Sequence, residues 1–151
     1  MHYSITQAAE ICGLTPHTLR YYDKEGLLPF VERNNAGIRK FKEVDFEWLA
    51  VIACLKSTGM PVKQIRRFID WCMQGDAALE QRLNVFLEQK ERVQAQIDVL
   101  NKCMEKIEHK IWYYRTAVEA GTEAIHESKA CLEQAKLEMA AYNQSMRALK
   151  S

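Results

Sequence analysis

From Leu79 to Val118, apolar side chains recur at alternating intervals of four and three residues: Leu79, Leu83, Phe86, Val93, Ile97, Leu100, Met104, Ile107, Ile111, Tyr114 and Val118, with Lys90 the one polar member of the series. An average spacing of 3.5 residues keeps every member on one helix face, and its persistence through more than five heptads predicts a left-handed coiled coil. At 1.5 Å per residue such a helix is roughly 60 Å long, beyond the reach of a small domain. Its seam needs another helix. Gly121-Thr122 ends the pattern, and the last segment offers Ile125, Leu132, Ala135, Met139, Tyr142, Met146 and Leu149 on one face. That cover is shorter and poorer in apolar content. Each seam side chain is worth about 1.5–3 kcal/mol when buried, as an upper bound, and the last segment alone would leave much of this unrealised. The expectation is therefore a homodimer through the long helix, with the final segment packing back on it or partly frayed. Heptads are equally compatible with parallel and antiparallel strands.

The first half of the chain follows a different pattern. Ser4-Ile5-Thr6-Gln7 has capping-box spacing, and Ile5, Ala8, Ala9 and Ile11 recur at helical intervals until Cys12-Gly13-Leu14 interrupts them. Thr15 is a good N-cap, Pro16 suits the first helical position, and Gly26 followed by Pro29 stops the second helix. Two short helices around a glycine turn make a helix-turn-helix, whose second member fits a DNA major groove. Residues 30–41 then read as two extended pieces around an Asn/Gly turn. With Arg33 and Arg39 on its two arms, this hairpin is a wing able to place cations beside the groove. A third helix from Glu43 to Gly59 shows Val44, Trp48, Val51, Ile52 and Leu55 on one face. After Met60-Pro61 a fourth has Val62, Ile65, Phe68, Ile69 and Cys72 inward and Lys63, Arg66 and Arg67 outward, fading at Gln74-Gly75-Asp76. The fold class is mainly α: a winged helix-turn-helix domain over residues 1–75, a dimerisation coiled-coil helix over 76–120 and a C-terminal helix over 121–151.

Composition narrows the function. With 48% hydrophobic and 27% charged residues, no long apolar run and no basic-then-apolar leader, a cytoplasmic protein without membrane contact is expected. Five cysteines, at 12, 54, 72, 103 and 131, form no Cys-x-x-Cys pair and read as reduced thiols. The net charge is only +1, so nucleic-acid affinity must come from a local cluster. Residues 20–42 supply one: Arg20, Lys24, Arg33, Arg39, Lys40 and Lys42 against Asp23, Glu25 and Glu32. No nucleophile elbow, glycine-rich phosphate loop or adjacent Cys-His pair is present, so neither an enzyme nor a cofactor is expected.

In Thr18-Leu19-Arg20-Tyr21-Tyr22-Asp23, in Gly26-Leu27-Leu28-Pro29, in Arg33 with Gly37-x-Arg39, and in the order of wing, two helices and long helix, the chain resembles the MerR family of bacterial transcription regulators. Ile52-Ala53-Cys54-Leu55-Lys56-Ser57-Thr58-Gly59-Met60 is similar to the aldehyde- and thiol-stress-responsive branch typified by AdhR and NmlR, which places a regulatory cysteine where Cys54 stands. The resemblance implies that Arg20, Tyr21 and Tyr22 touch DNA from the recognition helix, Arg33 and Arg39 from the wing, and Lys56 through a phosphate. Thr15 and His17, at the start of that helix, complete the candidate set. Tyr22 is placed equally well to pack in the core, and Arg39 to be a solvated wing charge. Two positions depart from the family pattern. Ile38 stands where a tyrosine usually follows the wing glycine, leaving one phosphate contact open, and Lys42 replaces a capping serine or threonine, which suggests a looser third-helix start.

The resemblance further implies a homodimer that bends and untwists promoter DNA so that RNA polymerase engages it, with a cysteine reading electrophile, aldehyde or oxidative stress. A thiolate needs a nearby cation or helix N-terminus. Around Cys54, Ala50, Val51, Ser57 and Thr58 supply none and Glu47 opposes it, so activation must be tertiary. The alternative is a small buried core residue. Cys12, Cys72, Cys103 and Cys131 read as helix residues without assigned chemistry, and His109 and His126 as surface histidines too far apart to share a helix face. Trp112-Tyr113-Tyr114 would line an effector pocket or pack a coiled-coil end against the last helix. Two other functions remain: a metal-responsive regulator of the same family, although no compact thiol set supplies ligands, and a coiled-coil scaffold whose head binds protein rather than DNA.

Overall fold

The computed structural model describes residues 1–126 and 131–150; the side chains of residues 131–133, and with them the readings of Cys131 and Leu132, lie outside the described residues. The chain runs α1 (Ile5–Cys12), α2 (Pro16–Lys24), β1 (Glu32–Arg33), β2 (Arg39–Lys40), α3 (Glu43–Ser57), α4 (Val62–Met73), α5 (Leu79–Ala120) and α6 (Cys131–Lys150), with single 3₁₀ turns at Gly75–Ala78 and Glu123–His126. It divides into two compact units, Met1–Gln89 and Lys90–Ser151.

Local chemistry explains the start of the first unit. Ser4 Oγ accepts from the Gln7 amide at 3.3 Å while the Gln7 side chain accepts from the Ser4 amide at 2.9 Å, closing the expected capping box. Gly13 stops α1 in the left-handed conformation (φ 64°), a region that strains residues bearing a Cβ. Two residues on, Thr15 Oγ1 accepts from the Thr18 amide at 3.0 Å and Pro16 opens α2. At its far end, Gly26 (φ 77°) lets the Leu27 amide reach back to the Tyr22 carbonyl at 2.9 Å.

The wing is a two-stranded antiparallel hairpin pairing Glu32 with Lys40 and Arg33 with Arg39. Asn34 builds its turn, its Oδ1 accepting from the Ala36 and Ile38 amides at 3.0 and 2.9 Å. Reciprocal hydrogen bonds between the Tyr3 and Phe41 backbones, 2.8 and 3.0 Å, tie the hairpin exit to the amino terminus.

Leu19, Leu27, Phe41, Leu49, Ile52, Ile65 and Ile69 are wholly buried and form the centre of the head. The apolar face of α3 differs from the sequence reading. Asp45, Leu49, Ile52 and Leu55 face inward, whereas Val44 is 56% exposed. The difference arises at the helix start, where Asp45 turns inward to accept from the Lys42 amide at 2.8 Å. This carboxylate, 3% exposed, supplies a cap that Lys42, with no acceptor on its ammonium, cannot. The start of the third helix is therefore held from Asp45 and not from the Lys42 side chain. Replacing Asp45 by alanine should lower stability by about 1–2 kcal/mol, read as an earlier urea midpoint with an unchanged slope. An unmoved midpoint would show the cap to be idle. In α1, Ala8 and Ala9 are buried but Ile11 is 55% exposed, because the short helix turns it away from the core.

The first turns of α5 belong to the head. Phe86 meets Phe68 edge-on, with ring centroids 5.2 Å apart, and Val85 packs against the core. Gln89, 5% exposed, donates from Nε2 to Thr58 Oγ1 at 2.7 Å. The first unit consequently continues past residue 75. In the second unit α5 ends at Ala120, and Lys106 forms an ion pair with Glu138 of α6. That pairing holds the Glu138 carboxyl below its usual range. Along α6, Leu137, Met139 and Tyr142 remain exposed. So do the seam residues Ile97, Leu100, Met104, Ile107, Ile111, Tyr114 and Val118, each between 43% and 79%. No helix among the described residues is long and apolar enough to cross a membrane.

Candidate nucleic-acid interface

Residues three and four apart lie together on a helix surface, so α2 has one buried and one open side. Leu19 and Tyr22 enter the core, and His17, Arg20, Tyr21 and Lys24 are exposed. Arg20 has no ion-pair partner among the described residues, so its guanidinium is available to a ligand. Thr15 stands at the edge of this surface with its hydroxyl engaged in the cap and 2.8 Å from that of Thr18. The ring of Tyr22 is 3% exposed, which decides between the two roles open to it: it packs. Burial, reinforced by neighbouring Tyr21, pushes the Tyr22 phenol up, so it stays neutral.

Tertiary folding adds Lys56 to this surface. Its ammonium lies 5.5 Å from the centre of the Tyr21 ring, joining the end of α3 to the open side of α2. The wing arginines converge as well, on an acid the sequence did not single out. Arg33 Nη2 donates to Asp23 Oδ2 at 2.6 Å, and Arg39 reaches the same oxygen through Nε at 3.0 Å and through Nη2. Arg33 Nη1 also donates to the Gly37 carbonyl at 3.1 Å. Arg39 is thus no free wing charge. Lys42 pairs across the hairpin with Glu32, whose carboxyl is held below its usual range by that contact. Ile38 stands 60% exposed at the wing tip. Arg66, read from sequence as merely outward, lies over Gly26, where an added Cβ would come within 3.1 Å of its Nε.

Cys54 is exposed, which overturns the buried alternative. Its carbonyl accepts from the Ser57 and Thr58 hydroxyls at 2.9 and 3.0 Å, and Thr58 in turn accepts from Gln89 of α5. The other thiols with described side chains, Cys12, Cys72 and Cys103, are half-buried. Burial pushes the Cys12 thiol up, and does the same to Cys72 against the opposing pull of Arg82. Among the described residues no three His, Cys, Asp or Glu side chains stand together as metal ligands.

His126 is not a surface histidine. The turn after α5 folds its ring onto Tyr113, with centroids 4.2 Å apart, and edge-on to Trp112 at 5.1 Å. Its Nε2 lies 2.6 Å from Thr116 Oγ1 and 3.1 Å from the Tyr113 carbonyl oxygen, while the Tyr113 hydroxyl donates to Glu123 at 3.1 Å. These aromatics therefore pack against the Glu123–His126 turn. Sequence spacing could not show this, because the contact depends on the chain reversing after Gly121.

The model of the MerR HTH family of regulatory proteins matches residues 3–70. An uncharacterized HTH-type transcriptional regulator of Haemophilus influenzae is 42% identical over 122 residues, covering 81% of this chain and 90% of that protein. The HTH-type transcriptional regulator AdhR of Bacillus subtilis is 34% identical over 90 residues, 60% of this chain and 64% of its own length. Among solved structures, HiNmlR, a MerR family regulator lacking the sensor domain and bound to promoter DNA, superposes with a TM-score of 0.74 at 41% identity. The match covers 82% of this chain and 98% of that one.

Proposed function

Because this chain belongs to the MerR HTH family of regulatory proteins, we propose that it binds promoter DNA as a homodimer and switches transcription when Cys54 is modified by an electrophile such as an aldehyde, or is oxidised. It is a sequence-specific DNA-binding transcription regulator. The observation that carries the DNA-binding part is the surface on which exposed Arg20 and Tyr21 of α2, Lys56 of α3 and the two wing arginines are gathered. Arginine forks match guanine edges and phosphates, and tyrosine hydroxyls donate to phosphate oxygens. His17 stands on the same surface.

Dimerisation is supported by the exposed seam of α5, which leaves apolar side chains in water for as long as the chain is alone. Two heads held at a set spacing bind duplex DNA together. Deforming a site of this size costs several kcal/mol, so a small change in head spacing decides which DNA shape is favoured and whether RNA polymerase can use the promoter. Action in the cytoplasm goes with this role.

The signal is assigned to Cys54 because it is the exposed thiol of the head and because Thr58 and Gln89 link its helix end to α5. In transcription assays on the protein's own promoter, Cys54→Ser should leave DNA binding intact and remove the response to aldehyde and to diamide. Induction at the wild-type level by both reagents would dismiss Cys54 as the sensor, and a response to divalent metal alone would favour the metal-sensing alternative.

A further inference from the structure

Asp23 is a carboxylate at the edge of a surface meant for a polyanion, and charge alone would disfavour it there. It is nonetheless the residue on which both wing arginines converge: Arg33 at 2.6 Å, and Arg39 through two nitrogens, the first at 3.0 Å. The Asp23 side chain is 18% exposed and that of Arg39 24%, so water screens this pair less than it would a surface pair, while Arg33, 47% exposed, joins it from the open side. The strands that carry the arginines are two residues each and share one short ladder. A hairpin this small is marginal by itself.

We propose that Asp23 is a positioning residue for operator recognition: it fixes the wing and its two guanidinium planes against α2, with the remaining N–H groups of both forks left for phosphate. This inference rests on the DNA-binding reading above. Arginine side chains lose rotamer freedom when they bind, and a preset geometry lowers that cost only on DNA whose phosphates lie where the forks already point. Asp23 thereby favours the fitting duplex over others. Electrostatics alone gives the opposite sign, since removing a carboxylate beside DNA tightens binding to every sequence.

The test uses the full-length protein, a duplex it selects from a randomised pool and a scrambled duplex of equal length, titrated over a salt series. Asp23→Asn should lower the preference for the selected duplex by about tenfold, with binding to the scrambled one unchanged or tighter. In a background carrying Arg33→Gln and Arg39→Gln, the same substitution should leave the preference unaltered, a dependence that general destabilisation would not produce. Parallel tightening on both duplexes, or an equal drop in preference with and without the arginines, overturns the proposal. Should Asp23→Asn not fold, Arg39→Lys keeps the charge but cannot fork onto Oδ2. It must then lower the preference similarly, and an unchanged preference overturns the proposal by that route. A wild-type protein that enriches no duplex from the pool would instead refute the DNA-binding reading itself.

Discussion

Replacing Ile107 with glutamate is expected to convert the protein to monomers that no longer hold operator DNA. Ile107 lies in the middle of the α5 seam and is 54% exposed in the single chain, so the substitution leaves the fold of each subunit intact, and glutamate is a good helix former. In the proposed dimer the seam position occurs once in each subunit. Each copy loses burial of the half of the side chain that the single chain leaves open, about 1–1.5 kcal/mol, and each places a carboxylate where it must be desolvated at a further cost of several kcal/mol. Together these raise the dimer dissociation constant on the order of a thousandfold. Sedimentation velocity at micromolar protein reads the outcome, with circular dichroism confirming unchanged helix content. DNA affinity should fall as dimerisation is lost, because a lone head loses the gain from a linked second head. A variant that still sediments as a dimer would remove α5 as the interface.

Arg20→Ala is expected to weaken operator binding by about 1–3 kcal/mol without altering stability. The residue is exposed and has no ion pair among the described residues to lose, so truncation acts on the complex and not on the fold. The pattern of loss identifies the contact. If Arg20 reads a base edge, discrimination relaxes at one position of each half-site. If it clamps phosphate, affinity falls uniformly and the salt dependence becomes shallower. Gel shifts with single-base operator variants at two salt concentrations separate these cases. Undiminished affinity would mean that α2 does not face the DNA, and would favour the scaffold role.

Much of this was legible in the chain. The capping box at Ser4, the Thr15-Pro16 start of α2 and the glycine stop at Gly26 rest on contacts within a few residues, so sequence and structure agree there. The inward side of α4 was legible for the same reason, its strong periodicity placing Ile65, Phe68 and Ile69. In α3 the periodicity is weaker because apolar residues surround the helix. Spacing alone therefore places Val44 on the inner face and does not single out Leu49, whereas Val44 is exposed and Leu49 wholly buried. Asp45 and Gln89, buried polar groups, carry no signal that separates them from the many exposed acids and amides around them.

The sequence by itself determined the elements and their order, together with the long α5 seam, because helix caps, turns and heptads are set by residues within one or two turns of each other. Only the tertiary structure decided which charges meet. The guanidiniums of Arg33 and Arg39 share Asp23, Lys56 stands over Tyr21, and His126 folds onto Tyr113, across separations of ten to thirty-five residues. A salt bridge or ring contact requires a few ångströms between side-chain ends. That distance is fixed by how the core packs, which no local pattern of residue types specifies.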